Sequence, residues 1–220
     1  MRRFWLILTA FLGLALQAVP ASAAVQYTLN CTTVACTGAG NGNYGTVTLT
    51  DLGSGKINVA VALASGFTFG PKDGHLLLWN GTGNTDQLSI SNITSNASTF
   101  GIEGSGNNGT YNPPSPFNAT GAFDYSMTRS NNASGASTLS FDLTKSGGLA
   151  LANFATTNDG GAYYFGALIR GSSGDPFFVA SNQAGVNVPE PSTLTLSIAG
   201  LAGLAGMALL RRRRYRAQAH

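Results

Sequence analysis

The chain has 220 residues, is 43% hydrophobic, and carries charge on only 10% of its positions, for a formal net charge of +3. Seven of its twelve basic residues (Arg2, Arg3, Arg211, Arg212, Arg213, Arg214 and Arg216) lie at the ends. The 165 residues 24–188 therefore hold five cations (Lys56, Lys72, Arg129, Lys145, Arg170) against eight acids, a charge of −3. A sparsely charged, mildly acidic body has no electrostatic footprint for nucleic acid, which rules out that partner class. Its polar surface is Asn, Ser, Thr and Gly, neutral donors and acceptors that suit hydrated polysaccharide and that are equally ordinary in an exported β protein.

The N-terminus reads as an export signal. Met1-Arg2-Arg3 is a basic n-region, residues 4–16 are apolar, and Ala21-Ser22-Ala23 is a small-x-small cleavage site. Cleavage between Ala23 and Ala24 removes residues 1–23. The only cysteines, Cys31 and Cys36, then face an oxidising compartment, which favours a disulfide. So short a loop contributes about 2 kcal/mol and pins a turn. No further Cys or His lies close enough to complete a metal site.

Period-2 alternation dominates the body of the chain. Val47 and Leu49 alternate with Thr46, Thr48 and Thr50, and Ile57, Val59, Val61 and Leu63 alternate with Asn58 and small alanines. Residues 51–56, built on Gly53-Ser54-Gly55, join these two strands as a hairpin turn. Leu88, Ile90 and Asn92 set against Ser89 and Ser91, Phe123, Tyr125 and Met127 against Asp124 and Ser126, and Leu139, Phe141 and Leu143 against Ser140 and Asp142 read as half-buried strands with one wet face. Residues 75–79, 163–169 and 177–180 are denser apolar runs suited to central strands. Residues 149–154 are ambiguous, with a short helical turn compatible. A 17-residue stretch, 104–120, has no pattern; Tyr111 within it is the ring best placed to meet a sugar. Nine or ten short strands with these turns predict a single antiparallel β-sandwich, jelly-roll-like, over residues 24–188.

Chemistry is hard to find. His75 is the one histidine of the body, with Asp73 two residues away and serines such as Ser65 or Ser115 as nucleophile candidates, but no nucleophile elbow accompanies them. Glu103, Asp124, Asp142 and Asp159 could supply a glycosidase carboxylate pair only if the fold brings two together; the alternating positions of Asp124 and Asp142 place each on a solvated strand face. Asn158 and Asp159 with loop carbonyls could bind calcium, though their spacing matches no calcium loop. No catalytic residue, cofactor or metal ligand is assigned, and the chain is expected not to be an enzyme.

The tail is the most specific segment. Pro189-Glu190-Pro191 precedes nineteen uncharged residues, 192–210, and then Arg211-Arg212-Arg213-Arg214. At about 1.5 Å per residue the run makes a helix of roughly 28 Å, close to the roughly 30 Å of a hydrocarbon core. Its basic end, 211–216, is expected in the cytoplasm, so the body lies outside. Tripeptide, transmembrane helix and arginine cluster, in this order behind an export signal, resemble the PEP-CTERM sorting signal of exopolysaccharide-producing Gram-negative bacteria. That resemblance covers residues 189–214. It implies recognition of Pro189, Glu190 and Pro191 by a membrane-embedded exosortase, a transpeptidase-like enzyme that cuts near the motif.

The sequence therefore predicts an exported protein, membrane-anchored before processing and afterwards at the cell surface, outer envelope or outside the cell. Its expected role is a structural or adhesive component associated with exopolysaccharide or biofilm. The alternatives are a carbohydrate-binding module and, less favoured, a glycan hydrolase.

Overall fold

The computed structural model describes residues 22–32, 42–70, 76–81, 88–96, 121–127, 135–160, 162–172, 174, 176–188 and 200. The fold is carried by the compact unit Ala24–Val188; a second unit comprises Met1–Ala23 and Pro189–His220. The expected transmembrane helix 192–210 lies outside the described residues, apart from Gly200. Among the described residues, no helix is long and apolar enough to cross a membrane.

The fold is all-β and antiparallel. Its strands are β1 (Ala24–Leu29), β2 (Gly45–Gly53), β3 (Lys56–Leu63), β4 (Thr68–Phe69), β5 (Leu77–Trp79), β6 (Ser89–Ser95), β7 (Tyr125–Met127), β8 (Thr138–Thr144), β9 (Phe165–Arg170), β10 (Pro176–Ser181) and β11 (Val186–Val188), with a 3-10 turn at Leu151–Phe154. The larger sheet has the order β11-β1-β2-β3-β8-β6 and the smaller one β10-β9-β5-β7, with β4 also paired to β9. The jelly-roll-like order expected from sequence is not the one observed. A jelly roll sends successive strands to alternate sheets, whereas β1, β2 and β3 are consecutive neighbours in one sheet, β2 and β3 joined by the short Ser54–Gly55 turn.

Alternation explains the core. Val47, Leu49, Ile57, Val59, Val61, Leu139, Phe141 and Leu143 point inward from the larger sheet and are at most 2% exposed. They share one apolar cluster with Leu77, Trp79, Tyr125, Phe165 and Ile169 of the smaller sheet. Trp79 stacks on Tyr125 at 5.7 Å, an offset aromatic pair inside the core.

The first and last strands close the structure together. β1 pairs with β11 at Ala24↔Val188 and Gln26↔Val186, and its extension pairs Cys31 with Ala180 of β10 in the other sheet. Between these contacts the β1 side advances five residues and the opposite side six, so one extra residue bends the ribbon across the corner between the sheets. Gly185 sits at this bend because a Cβ there would run into Val25 Cγ1 and the Tyr27 ring. Asn30 and Asn182 lock the corner reciprocally. Asn30 Nδ2 donates to Asn182 Oδ1 at 2.9 Å, and the Asn182 N–H donates to Asn30 Oδ1 at 3.3 Å.

Candidate functional site

Two regions combine position and chemistry: the sheet corner where the chain enters and leaves the fold, and the outer face of the larger sheet.

At the corner, Ala24, the residue that follows the expected signal cleavage, is the first residue of β1 and the register partner of both Val188 and Thr50. Ser22 and Ala23 are exposed. Val188, the last residue of β11, directly precedes Pro189. The residue after the expected signal cleavage and the residue before the sorting tripeptide are therefore register partners on neighbouring strands. β11 is a weak edge. It has three residues, Val186 is 67% exposed, and β11 is the outermost strand of its sheet. Pro189, Glu190, Pro191 and the arginines 211–214 themselves lie outside the described residues.

On the outer face, Ala24, Thr50, Asn58, Asp142 and Ser91 form one cross-strand row, and Gln26, Thr48, Ala60, Ser140 and Thr94 the next. The row is ordered around Asp142. Its Oδ1 accepts from Asn58 Nδ2 at 2.8 Å, its Oδ2 accepts from Asn92 Nδ2 at 2.8 Å, and Lys56 Nζ stands 3.8 Å from Oδ2. Asn58 Nδ2 also reaches Ser140 Oγ and the Phe141 carbonyl. Asp142 is thus not the solvated residue its alternation suggested. These neighbours cover it to 5% exposure. The Asn58 hydrogen bond, more than the opposing effect of burial, holds its carboxyl below the usual carboxylate range, with Asn92 and Lys56 adding to the shift.

Asn92 reaches Asp142 because β6 is bulged. Register runs Ser91↔Asp142 and then Thr94↔Ser140, three residues against two, and Asn92 has φ 53°. Asparagine tolerates this left-handed conformation better than most residues. The bulge breaks the alternation that the sequence suggested for residues 88–92, and it twists an exposed edge strand away from a pairing geometry.

The remaining candidates separate. Asp124 Oδ2 accepts from the Gly81 N–H at 3.1 Å beside β7 of the smaller sheet, while Asp142 belongs to the larger one, so the two are not brought together as an acid pair. An ionised Asp142 with both oxygens engaged is also the wrong species for a general acid. Asn158 Oδ1 accepts from the Ala162 and Tyr163 N–H groups, so it ties a loop instead of facing a cation. Among the described residues no group of three or more His, Cys, Asp and Glu could hold a metal. Ser65 is exposed in the turn after β3. Asp73, His75, Glu103, Tyr111 and Ser115 lie outside the described residues. So does Cys36, the expected partner of Cys31, which is itself 1% exposed. An open pocket of about 400 Å³ lies between the Ser54–Gly55 turn and residues 147–150, with Asn153 on its rim. Asn153 Oδ1 there already accepts from the Ala150 N–H at 2.7 Å.

Residues 187–214 match the PEP-CTERM protein-sorting motif. The chain carries that motif, which implies an exported, exosortase-processed protein. No curated protein and no solved structure matches the chain.

Proposed function

We propose that this protein is a non-enzymatic component of an exopolysaccharide-rich cell envelope or biofilm matrix. A helix over residues 192–210 holds it in the membrane, with Arg211 to Arg214 on the cytoplasmic side, until an exosortase acts at Pro189-Glu190-Pro191. The unit 24–188, a two-sheet sandwich with a Cys31–Cys36 disulfide, then works at the surface or outside the cell. One observation carries this reading. The sorting motif starts at the last strand of an all-β unit whose polar surface is built from Asn, Thr and Ser, so processing leaves the folded body whole. The test is fractionation of the producing cell: the processed form is expected in the surface and matrix fractions and depleted from them in an exopolysaccharide-deficient host. Full-length protein confined to the inner membrane would overturn it.

A second reading, a carbohydrate-binding module, is favoured by the outer face, where Asp142, Asn58, Asn92 and Lys56 hold amides and a cation in fixed positions. Glycan-array binding lost in Asn58→Ala, or in Tyr111→Ala, would support it. Silence across extracellular polysaccharides would count against it.

A further inference from the structure

The end of the larger sheet from which the chain leaves also carries the β2–β3 turn. β11 and β2 both run antiparallel to β1, hence parallel to each other, and Val188 and Thr50 share the row through Ala24. Val188 and Thr50 therefore lie at the same level, and β11 and β2 run toward the same end of the sheet. Leu52, two residues past Thr50 on β2, lies at that same end of the sheet, some 10 Å to the side of β11 across two strand spacings.

Leu52 is the apolar side chain near the tip of that turn. It is 49% exposed, and it and Val186 are the two large hydrophobic residues exposed among the described residues. Exposed Gly53 and Ser54 come next in the chain. Two of the body's five cations lie at this end: Lys56 opens β3, and Lys145 follows Thr144, the partner of Lys56. Both nearby acids are engaged: Asp51 Oδ1 accepts from the Gly53 N–H at 2.8 Å, and Asp142 is held by Asn58 and Asn92 and stands 3.8 Å from Lys56, which stays 40% exposed.

The length of chain beyond the sheet sets the distance to the bilayer. Pro189, Glu190 and Pro191 are the only residues between Val188 and the uncharged run that begins at Ser192. Three residues span at most about 10 Å, and the headgroup layer on each side of the hydrocarbon is roughly 6 Å thick. An anchored domain on so short a tether cannot stand clear of the membrane.

We propose that the tip of the β2–β3 turn is a lipid-contact element. While the chain is anchored, Leu52 enters the headgroup layer of the outward-facing leaflet, and Lys56 and Lys145 lie at the phosphates. The contact orients the domain so that the motif at the end of β11 meets its processing enzyme at a fixed depth. It rests on the proposed anchoring of the chain by residues 192–210.

The test uses the exported chain, Ala24 to its C-terminus, in vesicles of phosphatidylethanolamine and phosphatidylglycerol. Leu52→Cys and Ser65→Cys variants carry an environment-sensitive fluorophore, with the unsubstituted chain as the blank for labelling at the native cysteines. Ser65 is exposed in the turn at the far end of β3, about 25 Å away by the rise of its eight residues. The expected result is that lipid-borne nitroxide quenches the label at 52 several-fold more than the label at 65. Equal quenching in chains that float with the vesicles overturns the lipid contact alone. Chains that do not float with the vesicles overturn the anchored reading and the contact with it.

Discussion

Replacing Asp142 removes the group that organises the outer face. Asp142→Ala deletes two acceptors that receive amide hydrogens at 2.8 Å and one partner of a 3.8 Å ion pair. Hydrogen bonds to a charged group contribute about 1.5–3 kcal/mol each when well shielded. The ion pair adds little, because Lys56 is 40% exposed. Asn58 keeps Ser140 Oγ and the Phe141 carbonyl as alternatives, which reduces the loss. The expected cost is about 2–3 kcal/mol. Asp142→Asn should cost about 1 kcal/mol, since one carboxamide oxygen still accepts and the Asn92 amide can turn to present its own oxygen.

The pH dependence gives a second readout. The folded-state pKa of Asp142 is lowered, so its contribution is fully present above the unfolded value of 3.8 and is lost as pH falls through the folded one. Urea unfolding of wild type and variants at neutral pH, and at steps through the acid range, measures both effects. The difference between wild type and Asp142→Asn should shrink as pH drops below about 4. A neutral-pH cost of Asp142→Ala under about 0.5 kcal/mol, or a difference that does not change with pH, would refute the assigned role.

Three further outcomes come from packing. In the chain starting at Ala24, Trp79, 1% exposed with its indole N–H unpartnered, is the sole tryptophan; emission should be blue-shifted and resistant to iodide, and Trp79→Ala should cost about 3–5 kcal/mol. Gly185→Ala should destabilise by about 1–3 kcal/mol through overpacking against Val25 and Tyr27, and hydrogen exchange should show residues 186–188 opening ahead of β2 and β3. Reduction of the Cys31–Cys36 pair should raise the intact mass by two hydrogens and lower stability by about 2 kcal/mol; absence of a mass change would remove the disulfide.

What the sequence revealed was what is local. β2, β3 and β8 could be read because Val47/Leu49, Ile57/Val59/Val61 and Leu139/Phe141/Leu143 alternate over whole strands. The sorting tail could be read because its parts succeed one another along the chain. β1 and β11 gave no such signal. Residues 24–29 come directly after the signal segment, and 186–188 are too few to show a period, yet their pairing closes the fold. The burial of Asp142 was equally hidden, since it depends on Asn58 and Asn92, respectively 84 and 50 residues away, and on a one-residue bulge that alternation cannot reveal. The alternation of residues 88–92 suggested a regular strand because it carries no sign that Asn92 leaves the extended conformation.

The central claim is that this chain is exported, cut before β1 and beyond β11, two strands that the fold pairs, and released as a whole β unit. Intact mass spectrometry of the surface and secreted forms from the producing cell tests it most directly. The account predicts an N-terminus at Ala24 and a C-terminus at or shortly after Pro189-Glu190-Pro191, with or without an attached group, and with residues 192–220 gone. A surface form that keeps its C-terminal tail, or that ends before Val188 and so lacks β11, would contradict it.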